Sequence, residues 1–423
     1  MKINLTRAGL SIVAAAATAA GFAGTTLTGQ AVNVHGVDCP TTAGNVAANG
    51  SSLQNAGVQA AIAAYPNATT ATPNPGSGCG ASSGVTYTST GSSTCITEAD
   101  TNSSAVGFCG TDVPYTHQDW VTMNTPGTGN PPPPPSGWGR VQTIPIAESA
   151  VAFVTSTSNC AQADNLSGMT LGEIFAGKIS DWHTVDPTNC AVGTTIHVGV
   201  RSNSCSGTTQ AVKDYFTKKD SATYAALLAA DPATTGNPPS TPPNPTKFFC
   251  DPFWGTPPTP WITCSQSTNQ ALVSLCTTDA SLITYVDESD ATTHVPTLAR
   301  HAIDNAAGTF STWTSGACSL AAAAAVTPNN TAADWSGTDI TNPASGYGDC
   351  TFTYQLASAG CVLLTSQNLS TQCHQMTNAQ AQATRAFIEY EVTDQGQTVF
   401  ANNNYDILPN NLEVHSQAGA ATL

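Results

Sequence analysis

Apolar and polar positions along this chain switch repeatedly between the period of a strand and that of a helix. Residues 84–90, Gly-Val-Thr-Tyr-Thr-Ser-Thr, alternate strictly, as a half-buried strand does. Residues 53–65 form an Ala-rich apolar run of helical character, opened by Asn49-Gly50-Ser51-Ser52 and stopped by Pro66. Residues 105–114 read as a short buried strand that ends at an acid, Asp112. Two more strands are predicted at 141–146 and 149–154, a short helix at 169–175, and a strand at 195–200. A helix over 208–219 follows, with Val212, Tyr215 and Phe216 on one face. A helix near 269–276 leads into the strand 281–286, and the chain closes with a strand near 351–356, a helix over 378–392 and a shorter one around 396–403. Val32 and Val34 suggest a first strand. Strands alternating with helices in this way predict an α/β fold.

The chain has 423 residues, long enough for two globular lobes, because single cores stop growing near ~250 to 300 residues. Charged residues make up only 9% of it, which leaves a neutral, polar surface rich in Thr, Ser, Asn and Gly and suggests export. At the start, Lys2 and Arg7 precede an apolar run from Ala8 to Ala23, and Gly29-Gln30-Ala31 offers small residues for cleavage, so residues 1–31 read as a signal peptide. That run is shorter than a membrane-spanning helix, and Cys39 lacks the preceding residues of a lipidation site. A periplasmic or secreted protein is expected. Pro-rich stretches at 125–136 and 232–263, the first with five consecutive prolines, are expected to be extended surface loops.

All fourteen cysteines lie after Ala31, an even count that favours up to seven disulfides in an exported chain. Neighbouring pairs such as Cys250 with Cys264, Cys361 with Cys373 and Cys318 with Cys350 are candidates, although spacing alone does not fix connectivity. No Cys-x-x-Cys or His-x-x-x-His pair occurs, so neither a metal nor another cofactor is expected.

Without Lys2 and Arg7 the chain carries nine basic against 27 acidic residues, a net of −18. Nucleic acid and anionic membranes are therefore excluded as expected partners. A small anion is not excluded, because a desolvated pocket of N–H donors acts at contact distance, inside the ~8 Å screening length. Only Arg140, Arg201, Arg300 and Arg385 remain after the signal segment. Arg201 stands between a strand-like run and a helix start, Ser206-Gly207-Thr208-Thr209. Ser206 is a good N-cap, Gly207 allows close approach to the backbone, and the unpaired N–H groups and dipole of a helix start favour an anion. An ordinary capped helix after a surface arginine accounts for the same residues, and other parts of the chain must decide between the two readings.

Gly91-Ser92-Ser93, Gly110-Thr111-Asp112, the run from Leu171 to Trp182 that reads L-x-x-I-F-x-G-K-I-x-x-W, Arg201 with Ser206-Gly207-Thr208-Thr209, and Leu282-Ile283-Thr284-Tyr285-Val286 occur in the order seen in periplasmic phosphate-binding proteins. Asn305-Ala306-Ala307-Gly308-Thr309-Phe310 resembles that family's N-x-x-G-x-F element, and the stretch from Ala386 through Gly396 to Pro409 resembles its C-terminal helix and closing loop. The resemblance implies a type II periplasmic-binding-protein fold with two α/β lobes, residues 32–146 plus 297–423 and residues 147–296, joined by a hinge of two crossover strands. It implies one phosphate in the cleft between the lobes, no catalysis, a monomer, and delivery to an ABC permease. Carried over, Ser52, the Leu53 N–H, Ser92, Ser206, Gly207 and Thr208 would donate hydrogen bonds, and Arg201 would supply a charge-assisted pair. Asp112 would accept the proton that monohydrogen phosphate retains and sulfate lacks.

Two departures bear on that site. Four residues, Ser202 to Cys205, separate Arg201 from Ser206 where the family usually has three, so the loop is expected to bulge, with Cys205 a candidate to tie it down. Asn203 stands where the family often has an acid that buttresses the guanidinium, so Arg201 is expected to be less rigidly held. Three rival readings exist. Gly80-Ala81-Ser82-Ser83-Gly84 fits the G-x-S-x-G pattern of hydrolases but has a loop before it and a strand after it, the wrong context for a nucleophile elbow. A surface or secreted structural protein on the same fold would need no anion site, and a receptor for another oxyanion would differ at Asp112.

Overall fold

The computed structural model describes residues 37, 44–65, 84–101, 106–114, 141–201, 206–221, 268–294, 296–318, 335, 338–367 and 376–423. Signal-peptide, Val32 and Val34, proline-loop, Ser82, Cys205 and Asn203 expectations all fall outside these residues, as does the Cys250–Cys264 pair. The described chain runs β1 (Val46–Gly50), α1 (Asn55–Ala64), β2 (Val85–Ser89), α2 (Ser92–Thr101), β3 (Phe108–Thr111) and β4 (Val141–Ser156). It continues through α3 (Gly168–Phe175), α4 (Trp182–Val185), β5 (His197–Val198), α5 (Gly207–Lys219), α6 (Asn269–Thr278), β6 (Leu282–Asp287) and α7 (Glu288–Thr293). After β7 (Leu298–Arg300), β8 (Ile303–Asp304), β9 (Phe310–Ser311) and β10 (Cys350–Ser358), it ends in α8 (Cys361–Ser366), α9 (Asn378–Glu391), α10 (Asp394–Ala401) and α11 (Asn410–Ala420).

The mixed sheet has the order β2-β1-β3-β10-β4-β6-β5, with β7 pairing β4 off this path. The pairs β2/β1 and β1/β3 at one end, and β5/β6 at the other, are parallel, while β10 and β4 run antiparallel to their neighbours. Parallel strands need helices as crossovers, which the alternating sequence supplies, so the α/β expectation holds. Strand β1 was not legible in advance, because only Val46 of its five residues is β-branched. The two strands predicted at 141–146 and 149–154 are one, β4, continuous through Pro145. Proline removes a ladder hydrogen bond, and here the register shifts beside it: Tyr354 pairs Pro145 while the adjacent Thr353 pairs Ala147, so Ile146 is the extra residue of a bulge in β4, where a proline is tolerated. Along β4 the pairing passes from β10, up to Ala150, to β6, from Val151 onward.

Two large aromatic cores lie against this sheet. Tyr65, Phe108, Phe387 and Tyr390 pack together beneath β1 to β3, and Phe153, Phe175, Phe216 and Tyr285 pack around β4 and β6. Each ring removes on the order of 150 to 250 Å² from water, so these clusters fix the sheet and its helices before any polar contact is considered.

Disulfides join Cys95 to Cys109, Cys160 to Cys190 and Cys318 to Cys350, the last as expected. Cys361 is also disulfide-bonded, while Cys373 lies outside the described residues. Cys276 is a buried free thiol, so the full set of seven disulfides does not form. Its thiol points at the carbonyls of Val154 and Leu282, where it packs as a small apolar group. Among the described residues, no helix is long and apolar enough to cross a membrane, and no group of three His, Cys, Asp or Glu residues could hold a metal ion.

Candidate functional site

The C-terminal ends of the parallel strands converge on one buried polar cluster, the place where open α/β sheets hold their ligands. Strand β1 delivers Ser51 and Ser52, β2 delivers Gly91 and Ser92, β3 delivers Asp112, β5 is followed by Arg201, and β6 ends at Asp287. Gly50 and Gly110 allow the close approach. Gly50 has φ +136°, and a Cβ there would lie 2.5 Å from the Gly110 nitrogen, so only glycine lets β1 and β3 meet at this point.

Asp112 is buried and wrapped in hydroxyls. Ser51 and Ser92 both donate to its Oδ2, Ser92 from 3.2 Å, and Thr353 on β10 donates to Oδ1 at 3.0 Å. The Ser51 hydroxyl also accepts the Leu53 N–H at 3.0 Å, so it ties the turn that leads into α1 to the carboxylate. Burial raises the Asp112 carboxyl from 3.8 to about 6, while the Ser51, Thr353 and Ser92 hydroxyls and the Arg201 charge pull it back down. A carboxylate so placed accepts protons readily near neutral pH.

Arg201 faces it from β5. Nη1 donates to Ser52 Oγ at 3.0 Å and to Asn269 Oδ1 at 3.1 Å, while its backbone N–H meets the Tyr285 hydroxyl at 3.2 Å. Among the described residues, the buried Nε has no hydrogen-bond partner. Tyr285 in turn shares a 2.6 Å hydrogen bond with Thr209 on α5. Asn269, the first residue of α6, donates its Nδ2 to Asp287 Oδ2 at 3.1 Å, and Asp287 caps α7 through the Asp290 N–H. Burial lowers the Arg201 pKa, and the charges of Asp112 and Asp287 oppose that fall.

The start of α5 closes the two halves of the cluster. Ser206 is its N-cap and accepts the Thr209 N–H at 3.3 Å. Gly207 lies so close to Asp112 that a Cβ on it would be 2.5 Å from the Asp112 Cβ and 2.8 Å from its Cγ. The positive end of α5 is thus brought beside the carboxyl group that also faces Arg201.

All the residues singled out from the sequence, Ser52, Leu53, Ser92, Asp112, Arg201, Ser206, Gly207 and Thr208, are buried at or beside this cluster. Their internal partners differ from a simple ring of ligand donors: Ser52 accepts from Arg201, and the Leu53 N–H is taken by Ser51. Among the described residues, Arg201 Nη1 is held by Asn269 and Ser52. Sequence reading passed over Ser51, Asn269, Tyr285, Asp287 and Thr353. Asp287 had a signal, since it is an acid ending a buried strand before a helix, the same pattern that drew attention to Asp112. Thr353 had none, because its facing of Asp112 depends on a pairing 241 residues apart.

A sequence profile of the PBP superfamily domain matches residues 39–355, well over half of the chain. Solved structures show a similar fold. A phosphate-binding protein from Stenotrophomonas maltophilia aligns with TM-score 0.57 at 17% identity, covering 89% of this chain and 94% of that one. A high affinity periplasmic phosphate-binding protein, PfluDING, bound with phosphate, aligns with TM-score 0.55 at 19% identity, covering 88% and 92%. The ancestral soluble variant of the Human Phosphate Binding Protein aligns with TM-score 0.53 at 17% identity, also covering 88% and 92%. Comparison with curated protein sequences gives no match.

Proposed function

The chain belongs to the PBP superfamily, and from that premise we propose that it binds inorganic phosphate outside the cytoplasm for delivery to an ABC permease. The observation that carries this reading is Asp112: a buried acid, faced by an arginine and three hydroxyls and pressed against a helix start. An acid in an anion site makes chemical sense only for an anion that brings its own proton. Monohydrogen phosphate donates that proton to Asp112 and displaces a serine hydroxyl from it, and the freed hydroxyl turns to donate to a phosphate oxygen. Hydrogen bonds are exchanged in this step and none is lost. Sulfate has no proton to give, so its oxygen would face the Asp112 carboxylate as a like charge with no hydrogen bond between them, a penalty on the scale of ~10⁴ to 10⁵-fold in discrimination.

In this reading Arg201 pairs with the anion, and Ser52, the Leu53 N–H, Ser92, Ser206, Gly207 and Thr208 supply hydrogen bonds around it. Residues 32–146 with 297–423, and residues 147–296, form two lobes, and β4 is one of the two strands that connect them. Export through the segment 1–31 brings a monomer to the side of the membrane where the permease collects its ligand. No catalytic step is assigned, since the solved structures of similar fold are named as binding proteins.

Isothermal titration of the phosphate-stripped protein at about pH 7.5, above the Asp112 titration, tests the reading. Tight one-to-one binding of phosphate with no heat from sulfate is the expected result. Silence towards both anions would overturn it and leave a fold kept for another ligand or a surface role.

A further inference from the structure

We propose that Asn269 and Asp287 form a buried relay that positions the Arg201 guanidinium, doing from a distant helix what an acid beside the arginine would otherwise do. The inference rests on the phosphate-binding reading of Arg201 for its functional consequence but on geometry for its existence. Asn269 is fully buried, accepts from Arg201 Nη1 at 3.1 Å and donates to Asp287 Oδ2 at 3.1 Å. A primary amide is suited to this place because its oxygen and its NH₂ face opposite demands. The oxygen meets a cation and the NH₂ meets a carboxyl oxygen of Asp287, a group that burial and the nearby Asp290 push well above the usual carboxylate range, so the donor and acceptor pattern fixes the orientation of the amide. Asp287 is anchored in turn, since its other oxygen accepts the Asp290 N–H at the start of α7. The guanidinium is thereby fixed on one edge, by Ser52 and Asn269 at Nη1, while Nε finds no partner among the described residues. Asn269 and Asp287 are positioning residues, and neither need touch the ligand.

The test is a double-mutant cycle read by phosphate titration, paired with a readout that needs no ligand. Asn269→Ala should weaken phosphate about tenfold, the scale of one charge-assisted hydrogen bond. In an Arg201→Lys background, where the fork that Asn269 holds is gone, the same substitution should cost almost nothing further. Asp287→Asn keeps both an acceptor oxygen and a good helix cap, so it should stay within about threefold of wild type. An undiminished loss in the Arg201→Lys background would assign Asn269 a purely structural role and overturn the relay. So would wild-type affinity in Asn269→Ala.

Independently, the guanidinium NMR signals of Arg201 should show hindered rotation in wild type and averaging in Asn269→Ala, with or without phosphate. Persistence of the hindered signals would overturn the relay whatever the ligand is. If Asn269→Ala does not fold, Asp287→Ala carries the same NMR test, because it removes the acceptor behind Asn269. A wild-type protein that ignores phosphate would end the functional reading alone, and the NMR comparison would still decide the relay.

Discussion

The two charges of the site are held in opposite ways. Asp112, on the β1 to β3 side, is held by neutral hydroxyls from three separate elements, Ser51, Ser92 and Thr353, each able to rotate and exchange its partner. Arg201, on the β5 and β6 side, is held at one nitrogen by a hydroxyl and an amide, with a second carboxylate, Asp287, behind the amide. The acceptor is crowded with replaceable donors, and the cation is pinned at one edge with donor capacity left over at Nε. Such a division suits an anion that carries a proton. On the phosphate-binding proposal, the acid would surrender a hydroxyl to take the ligand's proton, and the arginine would supply charge without having to move.

Breaking the pinned side should have the largest effect. Arg201→Met leaves Asp112 and Asp287 without a compensating cation in a buried setting, a change on the order of 3 to 5 kcal/mol when one partner of a buried ionic cluster is removed. Phosphate affinity should fall by more than about tenfold and the unfolding midpoint should drop as well. Titration calorimetry and thermal unfolding of the same preparation measure both. Full affinity in this variant would place the anion site elsewhere in the chain.

The replaceable side should reveal itself through pH. The Asp112 carboxyl titrates near 3.8 in an unfolded chain and about 6 when folded, burial being the main cause. Between those values the native state holds the proton and the unfolded state does not, so stability falls as pH rises through the window, and the whole cost persists above about pH 6. At about 1.4 kcal/mol per unit, the cost is on the order of 3 kcal/mol. Asp112→Asn removes it, so the variant should gain stability over wild type between about pH 4 and 6 and hold that gain at higher pH. Asp214 and Glu413 are each raised to about 7 by burial, so only the difference between variant and wild type isolates Asp112. The same variant should admit sulfate at neutral pH, and wild type should begin to admit it as the pH falls below about 6. An unchanged preference for phosphate in Asp112→Asn would remove Asp112 from the selectivity argument.

The contrast between the sides also explains what could be read in advance. Arg201, Ser206, Gly207, Ser92 and Asp112 announce themselves by local chemistry: a helix start with a serine and a glycine, or an acid at the end of a buried strand, is visible within ten residues. Asn269, Thr353 and Ser51 matter only because of what folding sets beside them. Asn269 lies 68 residues from Arg201, and Ser52 lies 149 residues from it, with no local pattern marking either partnership. The same limit shaped the fold. Helices and exposed strands follow from periodicity, whereas the unbroken course of β4 through Pro145 depends on a bulge at Ile146 against β10, a strand some two hundred residues later in the chain.

Gly207 is one point at which the two sides touch, beside the Arg201 to Ser52 contact, and its substitution is the mildest way to separate them. The residue opens α5 in helical conformation, where alanine is intrinsically the better helix former by about 1 kcal/mol. An added methyl would nevertheless lie 2.5 Å from the Asp112 Cβ, closer than packed carbons tolerate, so α5 or the carboxylate must shift. Overpacking of this kind costs about 1 to 3 kcal/mol, enough to outweigh the gain in helix propensity. Gly207→Ala should therefore show a small net loss of stability together with weaker phosphate binding, because the N–H groups of α5 are displaced from the site. Thermal unfolding and phosphate titration read the two effects separately. A variant that is more stable and binds as tightly as wild type would mean that the helix start does not close on Asp112, and that the two charges are brought together by the strands alone.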